Sequence, residues 1–179
     1  MRLRHDAGYC AARIGVFVRE LAKRMGDSQV GTVGSIRLTP NLINVIPNRA
    51  VISVDLRNTD DALLRAAERE LAAFLGMLAQ QEGVTIETRS LVRTEPVVFD
   101  STVLQAIERV AAELKYPLRR MTSGAGHDAQ MMARICPTAM IFVPSVGGIS
   151  HNPREFTERR HLEIGADALL HTMLRLAEG

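Results

Sequence analysis

Between Ala50 and Arg57 the side chains alternate without a break, with Ile52, Val54 and Leu56 on one side and Ser53, Asp55 and Arg57 on the other. A period of two specifies a strand with one face in a core and the other in water. Gly31 to Leu38 reads as a second strand. From His5 to Met25, Cys10, Ile14, Phe17, Val18 and Leu21 recur at helical spacing, and Gly26 with Asp27 forms a stop. Thr59 and Asp60 are placed to cap another helix, whose stripe of Leu64, Ala67, Leu71, Phe74, Leu75 and Leu78 ends at Gly83. Val84 to Val92 reads as a further strand. The order helix, strand, strand, helix, strand is a ferredoxin-like split βαβ unit without its first strand. The chain is therefore expected to start mid-domain.

After Pro96 the pattern changes. Helices are predicted over Ser101–Lys115, Asp128–Ile135 and His161–Ala177, with strands near Leu118–Thr122 and Thr138–Val143. The run AMIFV is apolar on both faces, as in a parallel sheet covered by helices, and the last helix would supply cover. The predicted class is α/β: an α+β unit over residues 1–100, then an α/β remnant over 101–179 that makes only part of such a layer.

Bulk properties narrow the function. A chain of 179 residues, 46% hydrophobic, can bury one core or two small ones. Its 22 basic and 20 acidic residues, net charge +2, are too balanced for a dedicated nucleic-acid surface. No apolar run approaches membrane-spanning length and the first residues lack a signal-peptide core, so no membrane partner and a cytoplasmic setting are expected. Cys10 and Cys136 lie in helix-like apolar segments without a CxxC pair, which predicts buried free thiols rather than a zinc knuckle.

Three segments carry chemistry-bearing residues. GGISHNPREF (147–156) follows the predicted buried strand, and so sits at the carboxyl end of the sheet, where open α/β folds bind ligands. Gly147 and Gly148 permit an unusual turn, His151 offers an imidazole ligand, and Glu155 is near enough to support it. The plainer reading is a loop histidine. SGAGHDAQ (123–130) is a glycine-rich turn opening a helix, where free amides favour an anion and His127 adds a hydrogen-bond donor. Alternatively, Gly124 and Gly126 only make a tight turn. In NLINVIPNRAVISVDLR, Asn44 and Arg57 together suit an amino-acid-like carboxylate. A turn asparagine and an arginine paired with Asp55 is the competing reading.

In this order, MRLRHDA, the Asn44-Val45-Ile46-Pro47 turn, Asp55-Leu56-Arg57, SGAGHDA and SHNPRE resemble, over the whole chain, the amidase, hydantoinase and carbamoylase branch of the two-zinc aminoacylase-like peptidases. These are N-carbamoyl-L-amino-acid hydrolases, allantoate amidohydrolases and ureidopropionases. The resemblance implies a zinc-binding α/β domain interrupted by a ferredoxin-like lid that also forms a homodimer interface. It implies His151 as the last metal ligand, with Glu155 behind it, and His127 as a substrate or transition-state contact in a turn shared with Ser123 and Gly124. Asn44 and Arg57 become the lid residues that hold the substrate carboxylate, with lid residues often completing the partner subunit's site. The implied cofactor is a pair of divalent metals, zinc with manganese or cobalt as alternatives, and the implied reaction is hydrolysis of a carbamoyl or ureido C–N bond.

The departure from the family pattern is as informative. The family's HxD motif, bridging aspartate, general-base glutamate and remaining ligands precede the MRLRHDA segment. His5, His161 and His171 sit in predicted helical contexts without partners at ligand spacing. A catalytic zinc needs about three protein ligands, so this chain alone is expected to be inactive. Alternatives are another aminoacylase-like dipeptidase or deacylase, and a non-catalytic dimerisation or ligand-binding module.

Overall fold

Asp6 opens the first helix, α1 (Ala7–Met25), its carboxylate accepting the Tyr9 amide. The buried stripe of Cys10, Ile14, Val18 and Leu21 follows the spacing predicted from the sequence. The structure is a computed structural model that describes all residues except Arg2, Asp27 and Gly179, so the stop assigned to Asp27 lies outside the described residues. It contains two compact units, residues 1–96 and 97–179.

In the first unit, β1 (Val30–Thr39) and β2 (Arg49–Arg57) pair antiparallel, Val30 opposite Arg57 and Thr39 opposite Arg49. Helix α2 (Asp61–Glu82) starts at Asp60, whose carboxylate accepts the amides of Ala62 and Leu63. It ends at Gly83, in the left-handed region at φ 63°. His5 was predicted to lie in a helix. It instead precedes α1 and donates from Nδ1 to the Glu82 carbonyl at 2.8 Å. A Cβ on Gly83 would come within 2.8 Å of that ring, so glycine serves both the turn and the cap.

The apolar face of β2, Ile52, Val54 and Leu56, packs on a core of Cys10, Ile14, Val18, Phe74 and Leu78. Phe17 and Phe74 stack with centroids 4.0 Å apart, an aromatic pair worth about 1 kcal/mol beyond its buried area. Beside this core lies a polar clasp. The buried Asn58 amide donates to Gln29 Oε1 at 2.9 Å and accepts the Asp60 amide, while Gln29 donates to the Val30 carbonyl. It ties the entry to β1 to the exit from β2.

Val84–Val92 departs from its predicted state. Val84 and Ile86 do pack on the core, yet among the described residues the sheet holds β1 and β2 alone. A strand exists only by its ladder, and this segment has no neighbour to bond. Its continuation is held to α2 by Arg93, which bonds Asp61 and Glu68, and that contact keeps the Asp61 carboxyl below its ordinary range.

The second unit follows the same rule. Helix α3 (Ser101–Glu113), capped by Asp100, buries Ala106, Ile107, Val110 and Ala111 and packs on α5 (Arg159–Glu178). The Tyr116 hydroxyl donates to Asp167 at 3.0 Å, and this bond raises its pKa. The strands predicted at 118–122 and 138–143 form no ladder, and the predicted helix 128–135 shrinks to one turn, α4 (Ala129–Met132). Phe142 in the AMIFV run is 52% exposed, against the expectation of apolar cover on both faces. A strand forms only by hydrogen bonding to a neighbouring strand, and the described residues of this unit supply none. The cover from α5 does form: a Cβ on Gly165 would meet Val143 Cγ1 at 2.5 Å. Cys10 is buried and its thiol pKa pushed up by burial, whereas Cys136, also predicted buried, is exposed. No described helix is long and apolar enough to cross a membrane.

Two substitutions test these contacts. Asn58→Ala strands the Gln29 carbonyl and the Asp60 amide, and is expected to cost about 1–3 kcal/mol, read as a lower urea midpoint at constant slope. Gly→Ala inside a helix ordinarily stabilises by about 1 kcal/mol; Gly165→Ala should instead destabilise, and Val143→Ala in the same chain should recover part of the loss.

Candidate functional site

Arg57 closes β2 on its polar face. Its Nε donates to Asp55 Oδ1 at 2.8 Å and its Nη2 to Asp55 Oδ2 at 3.1 Å, a two-point grip between residues two apart on one strand face. The carboxylate raises the Arg57 pKa. The pairing with Asp55 is the plainer alternative the sequence offered, and it leaves Arg57 half exposed.

Asn44 sits exposed in the β1–β2 connection. The connection is closed by the Asn48 amide on the Thr39 carbonyl, and docked on α1 by the Ala7 amide on the Pro47 carbonyl. Asn44 and Arg57 therefore belong to opposite ends of the hairpin. The nine residues of β2, at about 3.3 Å each, set those ends roughly 25 Å apart. The sequence suggested that they grip one carboxylate together; within one chain they do not meet.

In the second unit, the turn 123–128 leads into α4. Ser123 Oγ accepts the Ala125 amide at 3.3 Å, and His127 Nδ1 accepts the Ala129 amide at 3.0 Å. The expected anion site at a helix N-terminus is thereby corrected: α4 has four residues, too few for a macrodipole, and one leading amide is already spent on His127. That bond decides something the sequence left open. A backbone N–H can only donate, so Nδ1 holds the lone pair and a neutral His127 carries its proton on Nε2. The exposed ring thus presents an N–H donor.

His151 follows a 3-10 turn (Val146–Gly148) in which Gly147 and Gly148 both have positive φ, 66° and 67°. His151 itself has φ 56°, a region histidine enters more readily than most residues. Glu155 accepts the His151 backbone amide at 2.8 Å rather than the ring, and Ser150 Oγ lies 2.7 Å from His151 Nδ1. Ser150, which the sequence reading passed over, is thus the ring's partner; its only signal was a hydroxyl next to the histidine. Among the described residues no three His, Cys, Asp or Glu side chains are grouped to hold a metal ion. His151 offers one donor, and these residues do not make a metal centre by themselves.

The family model for peptidase family M20/M25/M40 matches residues 5–175. The chain belongs to that family. It is 38% identical over all its length to an N-carbamoyl-L-amino acid amidohydrolase of Geobacillus stearothermophilus, covering 44% of that protein. It is 37% identical over 99% of its length to an allantoate amidohydrolase of Bacillus subtilis, covering 43% of it. Among solved structures, an amidase of the hydantoinase/carbamoylase family from Burkholderia vietnamiensis superposes with TM-score 0.94 at 36% identity, over 98% of this chain and 42% of that one. AtUAH in complex with glyoxylate gives TM-score 0.94 at 30% identity, over 100% and 43%. This M20/M25/M40 chain spans under half the length of the relatives it matches.

Nitrogen-15 NMR of the imidazole groups checks the His127 assignment. The neutral ring is expected to show its proton on Nε2; a proton on Nδ1 in the folded chain would contradict the Ala129 contact.

Proposed function

We propose that this chain is the lid and C-terminal part of a metal-dependent amidohydrolase that cleaves the carbamoyl or ureido C–N bond of N-carbamoyl amino acids or allantoate. The observation that carries the reading is the SGAGHDA turn, where the Ala129 amide leaves His127 with a neutral Nε2–H donor. Attack on a carbamoyl carbon moves charge onto its oxygen, and a donor oriented beforehand stabilises that charge without reorganising. Arg57 takes the substrate carboxylate. Because Asn44 lies at the other end of the hairpin, it serves the site of a second copy, so a homodimer through the lid is part of the proposal. His151 is offered as a single imidazole ligand toward a pair of divalent metals, which residues outside this chain complete. Free thiols at Cys10 and Cys136 suit a cytoplasmic setting.

The lack of a metal-holding cluster among the described residues favours a second reading for the chain alone, a dimerisation or ligand-binding module without chemistry. Metal content and ammonia release separate the two, measured on this chain and on a version extended upstream in the same reading frame. The proposal expects about two metals per subunit and release from carbamoyl substrates in the extended protein only. In that protein Arg57→Ala should raise KM for carboxylate substrates by about 10-fold to 100-fold, the loss of a charge-assisted bond, with kcat changed less. An unchanged KM would count against the carboxylate role.

A further inference from the structure

We propose that Asp55 is the positioning residue that aims Arg57, and so sets the preference for carboxylate-bearing substrates; the inference rests on the carboxylate role given to Arg57 above. A guanidinium on a three-methylene stem has many rotamers, and a loose one loses much of its binding free energy to ordering. Here the Nε–Nη2 edge of Arg57 lies against both oxygens of Asp55, at 2.8 and 3.1 Å. Two parallel bonds fix the plane as well as the position of the group. The two residues alternate with Leu56, whose side chain packs toward the core, so Asp55 and Arg57 share the wet face of β2.

The support continues behind the pair. Arg57 is followed by Asn58, buried in its clasp with Gln29, and pairs across the sheet with Val30, whose carbonyl accepts from that same Gln29. The end of β2 is thus anchored by satisfied buried amides, and the rotamer by Asp55. Side chains that are 50% and 49% exposed form the kind of ion pair that adds little to stability. Its geometric effect outweighs its stabilising one. Asp55 also brings a negative charge beside the arginine, which opposes an incoming carboxylate. Orientation and repulsion therefore predict opposite signs for the effect of neutralising Asp55.

The experiment uses the upstream-extended protein, with N-carbamoyl-L-alanine and its decarboxylated analogue N-ethylurea as substrates, and variants Asp55→Asn, Asp55→Glu, Arg57→Ala and the Asp55→Asn/Arg57→Ala pair. If Asp55 aims Arg57, Asp55→Asn raises KM for N-carbamoyl-L-alanine about 10-fold with kcat little changed, one lost charged contact in binding terms. KM for N-ethylurea stays put, Asp55→Glu recovers part of the effect, and Asp55→Asn adds nothing once Arg57 is alanine. A KM that falls in Asp55→Asn identifies Asp55 as a competitor and overturns the proposal. So does an unchanged KM in Asp55→Asn while Arg57→Ala still raises it, an outcome that leaves the carboxylate role of Arg57 standing. An Arg57→Ala variant without any KM effect removes the carboxylate role and this inference with it.

Discussion

The contact between the apolar face of β2 and helices α1 and α2 supports everything else in the first unit. Ile52, Val54 and Leu56 meet Val18, Phe74 and Leu78, and Leu21 and Leu78 are among the fully buried side chains. The fit leaves no slack at Gly31, where a Cβ would come within 3.0 Å of both the Val18 side chain and its carbonyl oxygen. With one face so engaged, a slip of one residue in β2 would exchange its buried and wetted sets. The register follows, and with it the placement of Asp55 and Arg57 in water.

The second unit shows what happens when such a contact is incomplete. Helices α3 and α5 close on each other, and Gly165 lets α5 settle onto Val143. The AMIFV run has the composition of a sheet interior without a sheet. Leu169, Leu170, Met173 and Phe142 are each more than half exposed. Hydrophobic burial is non-directional and needs only a covering surface, whereas a strand needs a hydrogen-bonding neighbour in register. Helical cover therefore survives here and the ladders do not.

Backbone groups, more than side-chain clusters, organise the candidate site. The Ala129 amide selects the tautomer of the neutral His127 ring, and Glu155 accepts the main-chain N–H of His151 in its left-handed turn. Each histidine is thereby oriented by residues close in sequence, which makes these turns local devices that do not depend on the rest of a site. The residues of the first unit differ. Arg57 and Asn44 are separated by the length of a strand and do not meet within one chain.

Much of the fold could be read directly: the stripes of α1 and α2, the helix at α3, the alternation of β2, and the Gly83 stop all depend on periods and caps that each segment carries within itself. The family resemblance was equally legible, because SGAGHDA and SHNPRE are contiguous motifs. Tertiary structure alone decided that Val84–Val92, 118–122 and 138–143 join no ladder among the described residues, since pairing is a property of the neighbour and not of the segment. It alone decided that His5 caps α2, that Asn58 and Gln29 share a buried bond, and that the ring of His151 turns to Ser150. Those partnerships join residues whose spacing follows no local period, or choose among donors that sequence places equally near, so only the folded geometry distinguishes them.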